Sequence, residues 1–188
     1  KTDADISAAL PELFSDLQEA WIAVANVDLP TGATNHVLYS APCGSTAEYC
    51  MSADGYDIVG LAADGIGTDY YWPGVSGSSF SAPQISGAVA ILAEAFPNHS
   101  AEEITDRLLA SANNVIGFTQ TGSVTFGNGV VHGYSNEAGH GMLDIYAALQ
   151  PITTSSSARN QIYAGSGSLG QSAFSLDSTR ANLSRSFG

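Results

Sequence analysis

The sequence contains very little positive charge. Five Lys and Arg residues stand against 18 Asp and Glu residues, and no Lys or Arg occurs between Thr2 and Asp106. The formal net charge is −13. Nucleic acids and anionic membranes attract basic proteins, so neither is an expected partner. An acidic surface of this kind favours solubility in salt or outside the cell.

Long apolar runs are also absent. No run of about 18 apolar residues occurs, so we predict no segment that spans a membrane. The first six residues, Lys-Thr-Asp-Ala-Asp-Ile, lack the charged, apolar and small-residue segments of a signal peptide. Any export signal is therefore expected to precede this sequence.

The composition changes near the end of the chain. The 188 residues are 44% apolar, which is enough to bury the core of one domain of ordinary size. After Pro151 the sequence becomes rich in Ser, Gly, Thr and Ala. We therefore divide the chain into a domain at residues 1–150 and a linker or arm at residues 151–188.

Several local patterns predict secondary structure. Residues 21–27 are apolar on both alternations, which indicates a strand buried on both faces of a parallel sheet. Ser-Ala-Glu-Glu at residues 100–103 predicts a capping box at the start of a helix. Residues 123–134 predict a hairpin around Gly-Asn-Gly. A short strand is predicted at residues 56–60.

The sequence Gly-Ser-Ser-Phe-Ser-Ala-Pro at residues 77–83 comes directly before a helical pattern. Apolar residues recur at spacings of four, three and four from Ile85 to Phe96, and Pro83 suits a first helical turn. A hydroxyl at a helix start lies among free N–H groups and a positive dipole, which favour an oxygen that attacks a carbonyl. Ser79 is the candidate nucleophile, although an ordinary N-cap is the interpretation that the spacing alone favours.

This stretch resembles the Gly-Thr-Ser-x-Ala-Ala-Pro signature around the catalytic serine of subtilases, the subtilisin-like serine proteases. Matched position by position, Ser79 is the nucleophile. Ser78 and Ser81 replace the usual Thr and Ala. Gln84 stands where the family often has His. These departures are small or polar changes outside the nucleophile, and they bear on substrate preference more than on the chemistry.

Two further stretches, one before and one after residues 77–83, resemble subtilase motifs and occur in the same order along the chain as in the family. Trp-Ile-Ala-Val-Ala-Asn-Val-Asp at residues 21–28 resembles the family's Val-Ile-Ala-Val-Gly-Ala-Val-Asp strand. Gly-His-Gly-Met-Leu-Asp at residues 139–144 is similar to its closing Gly-x-Gly-x-Leu-Asp turn. The resemblance implies the C-terminal portion of an α/β, three-layer subtilisin-like fold with a parallel sheet. It also implies hydrolysis of protein or peptide substrates.

The finer resemblance is to passenger protease domains of bacterial autotransporters. Three features support this resemblance: the loop with two cysteines, the Gly-His-Gly turn and the Ser/Gly-rich segment after that turn. It implies a secreted or cell-surface protein, with residues 151–188 leading to an outer-membrane translocator beyond this chain.

The remainder of a subtilase catalytic triad is not evident. The family's order is Asp, His, Ser, and His36 is the only histidine before Ser79, outside any family motif. We assign neither it nor His99, His132 or His140 as the base. An upstream N-terminal portion of the same protease is expected to supply the Asp, the His and the oxyanion Asn. The chain alone is then inactive, and the only oxyanion donor we assign within it is the N–H of Ser79.

Two other functions stay open. One is a catalytically inactive passenger that serves as a binding or adhesion module. The other is an esterase or lipase. This alternative is weaker, because residues 74–78 lack the final glycine of the Gly-x-Ser-x-Gly elbow that is typical of those enzymes.

Cys43 and Cys50 are the only cysteines. Their spacing and the export context favour a disulfide, and two reduced, buried thiols are the alternative. Asn26 interrupts the strand at residues 21–27, and we interpret it as a polar group satisfied by a neighbour rather than as an oxyanion donor.

No cofactor is assigned. Asp64 and Asp69 lie in a glycine-rich loop and could hold calcium, although a solvated acidic loop is the interpretation that we favour.

Overall fold

The computed structural model describes residues 3–28, 36–61, 71–114 and 117–152. Its elements, in chain order, are α1 (Leu10–Leu13), β1 (Ala23–Asp28), β2 (Val37–Leu38), β3 (Cys50–Ala53), β4 (Ile58–Leu61), β5 (Tyr71–Val75), α2 (Ser78–Ala95), α3 (Ala101–Ser111), β6 (Gly122–Thr125), β7 (Val131–Tyr134) and α4 (Ile145–Leu149). Single 3₁₀ segments occupy Ser15–Ala20, Gly44–Tyr49 and Gly127–Gly129. This is an α/β fold, as predicted.

The central sheet has the strand order β2-β1-β3. β1 and β3 are parallel, in register from Ala23 opposite Cys50 to Asn26 opposite Ala53. β2 is antiparallel to β1 and pairs with it at Val27 and Asp28. All six residues of β1 are buried or half-buried, which confirms the prediction of a strand covered on both faces.

The closing turn extends this sheet beyond β3. The N–H of Ser52 donates to the carbonyl of Gly141 at 2.8 Å, and the N–H of Leu143 donates to the carbonyl of Ser52 at 2.7 Å. Ser52 and Met142 form a parallel bridge. The segment around Met142 therefore lies beside β3 as a short fourth strand.

Two hairpins lie outside the central sheet. β4 pairs with β5, and β6 pairs with β7 from Gly122 opposite Tyr134 to Thr125 opposite Val131. The second hairpin is the one predicted for residues 123–134. The predicted strand at residues 56–60 is β4, which begins two residues later than expected.

The main core lies between the central sheet and the helices. α2 presents Ile85, Leu92 and the C-cap residue Phe96 to it, and all three are buried. α3 starts with the predicted capping box, in which the Ser100 hydroxyl accepts from the Glu103 N–H at 3.2 Å and Glu103 accepts from the Ser100 N–H at 2.8 Å. Both α2 and α3 therefore pack against the core.

Arg107 is buried in this core, although a charged residue on a short helix is normally exposed. Its Nε donates to the carbonyl of Ala148 at 2.6 Å, and its Nη2 donates to the carbonyl of Gln150 at 2.7 Å. The guanidinium lies 4.1 Å from the ring centroid of Phe96. Burial lowers the pKa of Arg107 to about 9. The side chain joins α3 to the end of α4.

The packed core continues to Ile152, which is fully buried. This residue lies two positions beyond the predicted boundary at residue 150. The predicted arm is otherwise outside the described residues, and the division stays a prediction. None of the helices in the described ranges combines the length and apolar character needed to cross a membrane.

Candidate functional site

Ser79 is the second residue of α2, and its side chain is exposed. Gly77 is the N-cap, and its carbonyl accepts from the N–H of Phe80 at 2.9 Å. The hydroxyl of Ser79 therefore lies at the positive end of an 18-residue helix, where the first N–H groups have no partner within the helix. This position suits an oxygen that develops negative charge.

The helix begins earlier than the sequence predicted. We expected Pro83 in the first turn, but α2 starts at Ser78 and Pro83 lies inside the helix as its sixth residue. Proline has no N–H, so it cannot donate to the carbonyl of Ser79, four residues before it. The early start is explained by Gly77, whose N–H donates to the carbonyl of Gly55 at 2.9 Å and fixes the helix entry against the sheet.

The loop that follows β3 supports the start of α2. The N–H of Gly55 donates to Oδ1 of Asn26 at 2.8 Å, and Nδ2 of Asn26 donates to the Gly55 carbonyl at 3.2 Å. Asn26 is fully buried. The interpretation of Asn26 as a polar group satisfied by a neighbour is confirmed.

Gln84 connects the same loop to the second turn of the helix. Its Nε2 donates to the carbonyl of Asp54 and to the carbonyl of Phe80, the latter at 2.9 Å. The glutamine, at a position where the resemblance expected His, is therefore a structural link between loop and helix.

A cleft with a volume of about 370 Å³ opens beside the start of α2, at Gly77 and Ser78. Its lining includes residues 23–25 of β1, the segment at residues 39–43 and Gly77 with Ser78, and also residues 4, 5, 7 and 8 of the N-terminal segment. At the carboxyl end of β1, burial, and then the negative charges of Asp54 and Asp57, raise the pKa of Asp28. Asp5 lines the cleft itself, and Asp28, Asp54 and Asp57 form a group of acidic residues at the end of β1.

The four histidines make contacts with other parts of the molecule. Nδ1 of His132 lies 3.0 Å from Nδ1 of His140. Nε2 of His132 binds the carbonyl of Ala112, and Nε2 of His140 binds the carbonyl of Glu48. Burial, and then His132, lower the pKa of His140 to about 3. Nε2 of His36 lies 3.9 Å from a Glu137 carboxylate oxygen.

His99 packs on the ring of Phe96. Burial lowers its pKa. Ser79 is thus placed at a helix start, and none of these histidine contacts pairs it with a base.

The family model described as "Subtilase family" matches residues 4–141. The chain belongs to the subtilase family. The match includes residues 77–83 and the strands β1, β2 and β3, so the predicted family and its α/β subtilisin-like fold are confirmed. The helix start at Ser79 is therefore interpreted by comparison with other members of the subtilase family.

Two curated relatives and one solved structure illustrate the similarity. The chain is 31% identical over 117 residues to "Serotype-specific antigen 1" of Mannheimia haemolytica, covering 61% of this chain and 12% of that protein. It is 30% identical over 135 residues to "Extracellular serine protease" of Serratia marcescens, covering 58% and 13%. A structure of the prenylagaramide maturation protease PagA aligns with a TM-score of 0.47 at 23% identity, covering 78% of this chain and 55% of that one. The chain thus spans only a small part of the length of these curated relatives.

Cys43 and Cys50 form the predicted disulfide, with Cα atoms 5.9 Å apart. Both residues are buried, and both line the cleft beside β1. The bridge closes the 3₁₀ segment Gly44–Tyr49 directly before β3. It therefore fixes the loop that forms one wall of the cleft.

We expect alkylation to modify Cys43 and Cys50 only after reduction, even in denaturant. Reduction should lower the free energy of unfolding by about 2.5 kcal/mol, because it releases a short closed loop in the unfolded chain. Intact-mass measurement of the unfolded protein with and without reductant tests the bridge. Two alkylated cysteines in the unreduced, unfolded sample would contradict it.

The acidic loop with Asp64 and Asp69, for which calcium binding is the less favoured interpretation, lies outside the described residues. Among the residues that the structure describes, no group of three or more His, Cys, Asp or Glu side chains could hold a metal ion.

Sequence reasoning missed the contacts around Gly55. No local sequence pattern predicts the two hydrogen bonds between Gly55 and the Asn26 side chain, or the hydrogen bond from the Gly77 N–H to the Gly55 carbonyl. The partners are 29 and 22 residues apart in the chain. A polar residue inside a doubly buried strand was the only available signal.

Proposed function

We propose that the chain is the C-terminal portion of the catalytic domain of an exported serine endopeptidase, with Ser79 as its nucleophile. The observation that carries the proposal is the exposed hydroxyl of Ser79 at the start of α2, held against the sheet through Gly77. Family membership supplies the reaction class. The substrates are proteins or peptides.

In this reaction, Oγ of Ser79 attacks the carbonyl carbon of a peptide bond while an imidazole takes the hydroxyl proton. The amine leaves with that proton, and water then hydrolyses the acyl-enzyme ester. The N–H of Ser79 and the helix dipole stabilise the negative oxygen of the tetrahedral intermediate. The imidazole, its orienting carboxylate and a second oxyanion donor come from the upstream portion, so this chain alone is inactive.

The edge of β1 is a suitable place for that upstream portion. The N–H of Asn26 donates to the Ser40 hydroxyl at 2.9 Å, and its carbonyl accepts from the N–H of Tyr39 at 2.8 Å. Backbone groups of successive strand residues point to alternate sides, so the N–H and carbonyl of Val24 point to this same side. Among the described residues, β2 pairs with β1 only at Val27 and Asp28. A strand of the upstream portion can therefore pair beside Val24, at the cleft that contains Ser78.

Export and display form the finer part of the proposal. The disulfide is typical of an oxidising compartment, and one relative is named an extracellular protease. We place the protein outside the cell or on its surface. Residues 153–188 would then connect the protease to an outer-membrane translocator.

A fluorophosphonate probe tests the function directly. The full-length protein should react at a single site that peptide mapping assigns to Ser79, and this chain alone should react far more slowly. A full-length protein that folds, but does not label at Ser79, would contradict the proposal and favour a binding or adhesion module.

A further inference from the structure

Asn26 binds the backbone of Gly55 in the way that a neighbouring strand would. Its Oδ1 accepts from the Gly55 N–H at 2.8 Å, and its Nδ2 donates to the Gly55 carbonyl at 3.2 Å. Asn26 is fully buried in β1, where its own N–H and carbonyl are bound by Ser40 and Tyr39. Its side chain is therefore held rigidly on the sheet.

Gly55 in turn contacts the first turn of the nucleophile helix. Its carbonyl also accepts from the N–H of Gly77, the N-cap of α2, at 2.9 Å. There is no room for a side chain at Gly55: a Cβ atom would overlap Oγ of Ser81 and lie 2.5 Å from the carbonyl oxygen of Gly77. The backbone of Gly55 thus lies directly against the turn that contains Ser79.

We infer that Asn26 is a positioning residue for the nucleophile: it fixes Gly55, and Gly55 fixes the helix entry two residues before Ser79. This inference rests on the proposed role of Ser79. A displacement of the nucleophile by about 1 Å can reduce a rate about 100-fold, so this buried amide contributes to catalysis without contacting substrate.

The second link, through Gln84, does not replace Asn26. Gln84 binds the carbonyl of Asp54 from the helix side and is exposed to solvent. It links the loop to the helix, whereas Asn26 links Gly55 to β1. Loss of Asn26 would let the loop and the first turn of α2 move together, relative to the catalytic groups supplied from the other side of the cleft.

The test measures kcat, KM and the rate of fluorophosphonate labelling in the full-length protease. Replacing Asn26 by Ala should lower kcat and the labelling rate about 100-fold and leave KM within about twofold. Asn114→Ala is the matched control, because Asn114 is also buried and donates to a backbone carbonyl, that of Gly133, at 3.4 Å. The control should keep kcat within about twofold, whatever its thermal stability.

Asn26→Asp provides a second measurement if Asn26→Ala does not fold. Its ionised form keeps an acceptor for the Gly55 N–H and loses the donor to the Gly55 carbonyl, whereas its protonated form can still donate, so we expect a loss in kcat of about tenfold at a pH where the carboxyl is ionised. Wild-type labelling rates in the folded Asn26 variants, or an equal fall in kcat in Asn114→Ala, would overturn the inference. A wild-type protein that does not label at Ser79 would instead show that the proposed function has failed.

Discussion

Replacing Ser79 by Ala in the full-length protease should lower kcat roughly a million-fold, which is the size of loss measured for subtilisin itself. The hydroxyl oxygen forms the acyl bond, so no neighbouring group can substitute for it. Folding should be unaffected, because the Ser79 side chain is exposed and no packing is lost. Peptide hydrolysis and thermal unfolding, measured on the same preparation, test both statements.

Ser86 offers the matched control on the same helix. Its hydroxyl is also exposed and donates to the carbonyl of Ala82 at 3.2 Å, two turns further from the helix start. Ser86→Ala should keep kcat unchanged. Turnover by Ser79→Ala, together with a loss in Ser78→Ala or Ser81→Ala, would move the nucleophile to another serine.

Replacing Gly139 by Ala should destabilise the protein by about 4 kcal/mol, since left-handed strain and overpacking act together. The backbone of Gly139 has φ = +60°, a conformation that suits glycine. A Cβ atom there would overlap the carbonyl of Cys50 and lie 2.9 Å from its Cβ. The closing turn would have to move away from β3, and its bonds to the sheet would be lost.

The variant Gly129→Ala distinguishes backbone strain from overpacking. Gly129 also has a positive φ, +81°, but a Cβ atom there would meet nothing within 4 Å. Gly129→Ala should therefore cost only about 1–2 kcal/mol, from backbone strain alone. Denaturant unfolding in a Ser79→Ala background avoids self-digestion. Equal losses at the two glycines would show that the contact with Cys50 is unimportant.

Local patterns were enough to predict the parts of the fold that depend on neighbouring residues. The capping box at Ser100, the hairpin around Gly127–Gly129 and the buried strand β1 all follow from short-range rules about caps, turns and alternation. The motif around Ser79 identified the family for a different reason, because it aligns with a signature of that family residue by residue.

Contacts between distant residues could not be predicted in this way. Arg107 occurs in a helical sequence where a charge normally faces solvent, and the carbonyls that bind it belong to α4 and its C-cap residue, 41 and 43 residues later. The early start of α2 depends likewise on Gly55, which no periodicity links to Gly77. In both cases, tertiary hydrogen bonds override a local preference.

The bridge between β3 and the closing turn has a consequence for the order of folding. Ser52 binds the carbonyl of Ala138, 86 residues later, and α2 lies between them in the chain. Contacts so distant in sequence form late, because closing a long loop costs entropy before the contacts compensate. A chain that emerges N-terminus first, from a ribosome or a secretion pore, can form α2 early but cannot complete the sheet beneath it until Leu143 has emerged. The sheet against which α2 packs is therefore completed late, whereas Asn26 and Gly55, which hold the helix entry, precede α2 in the chain and are present as soon as the helix emerges.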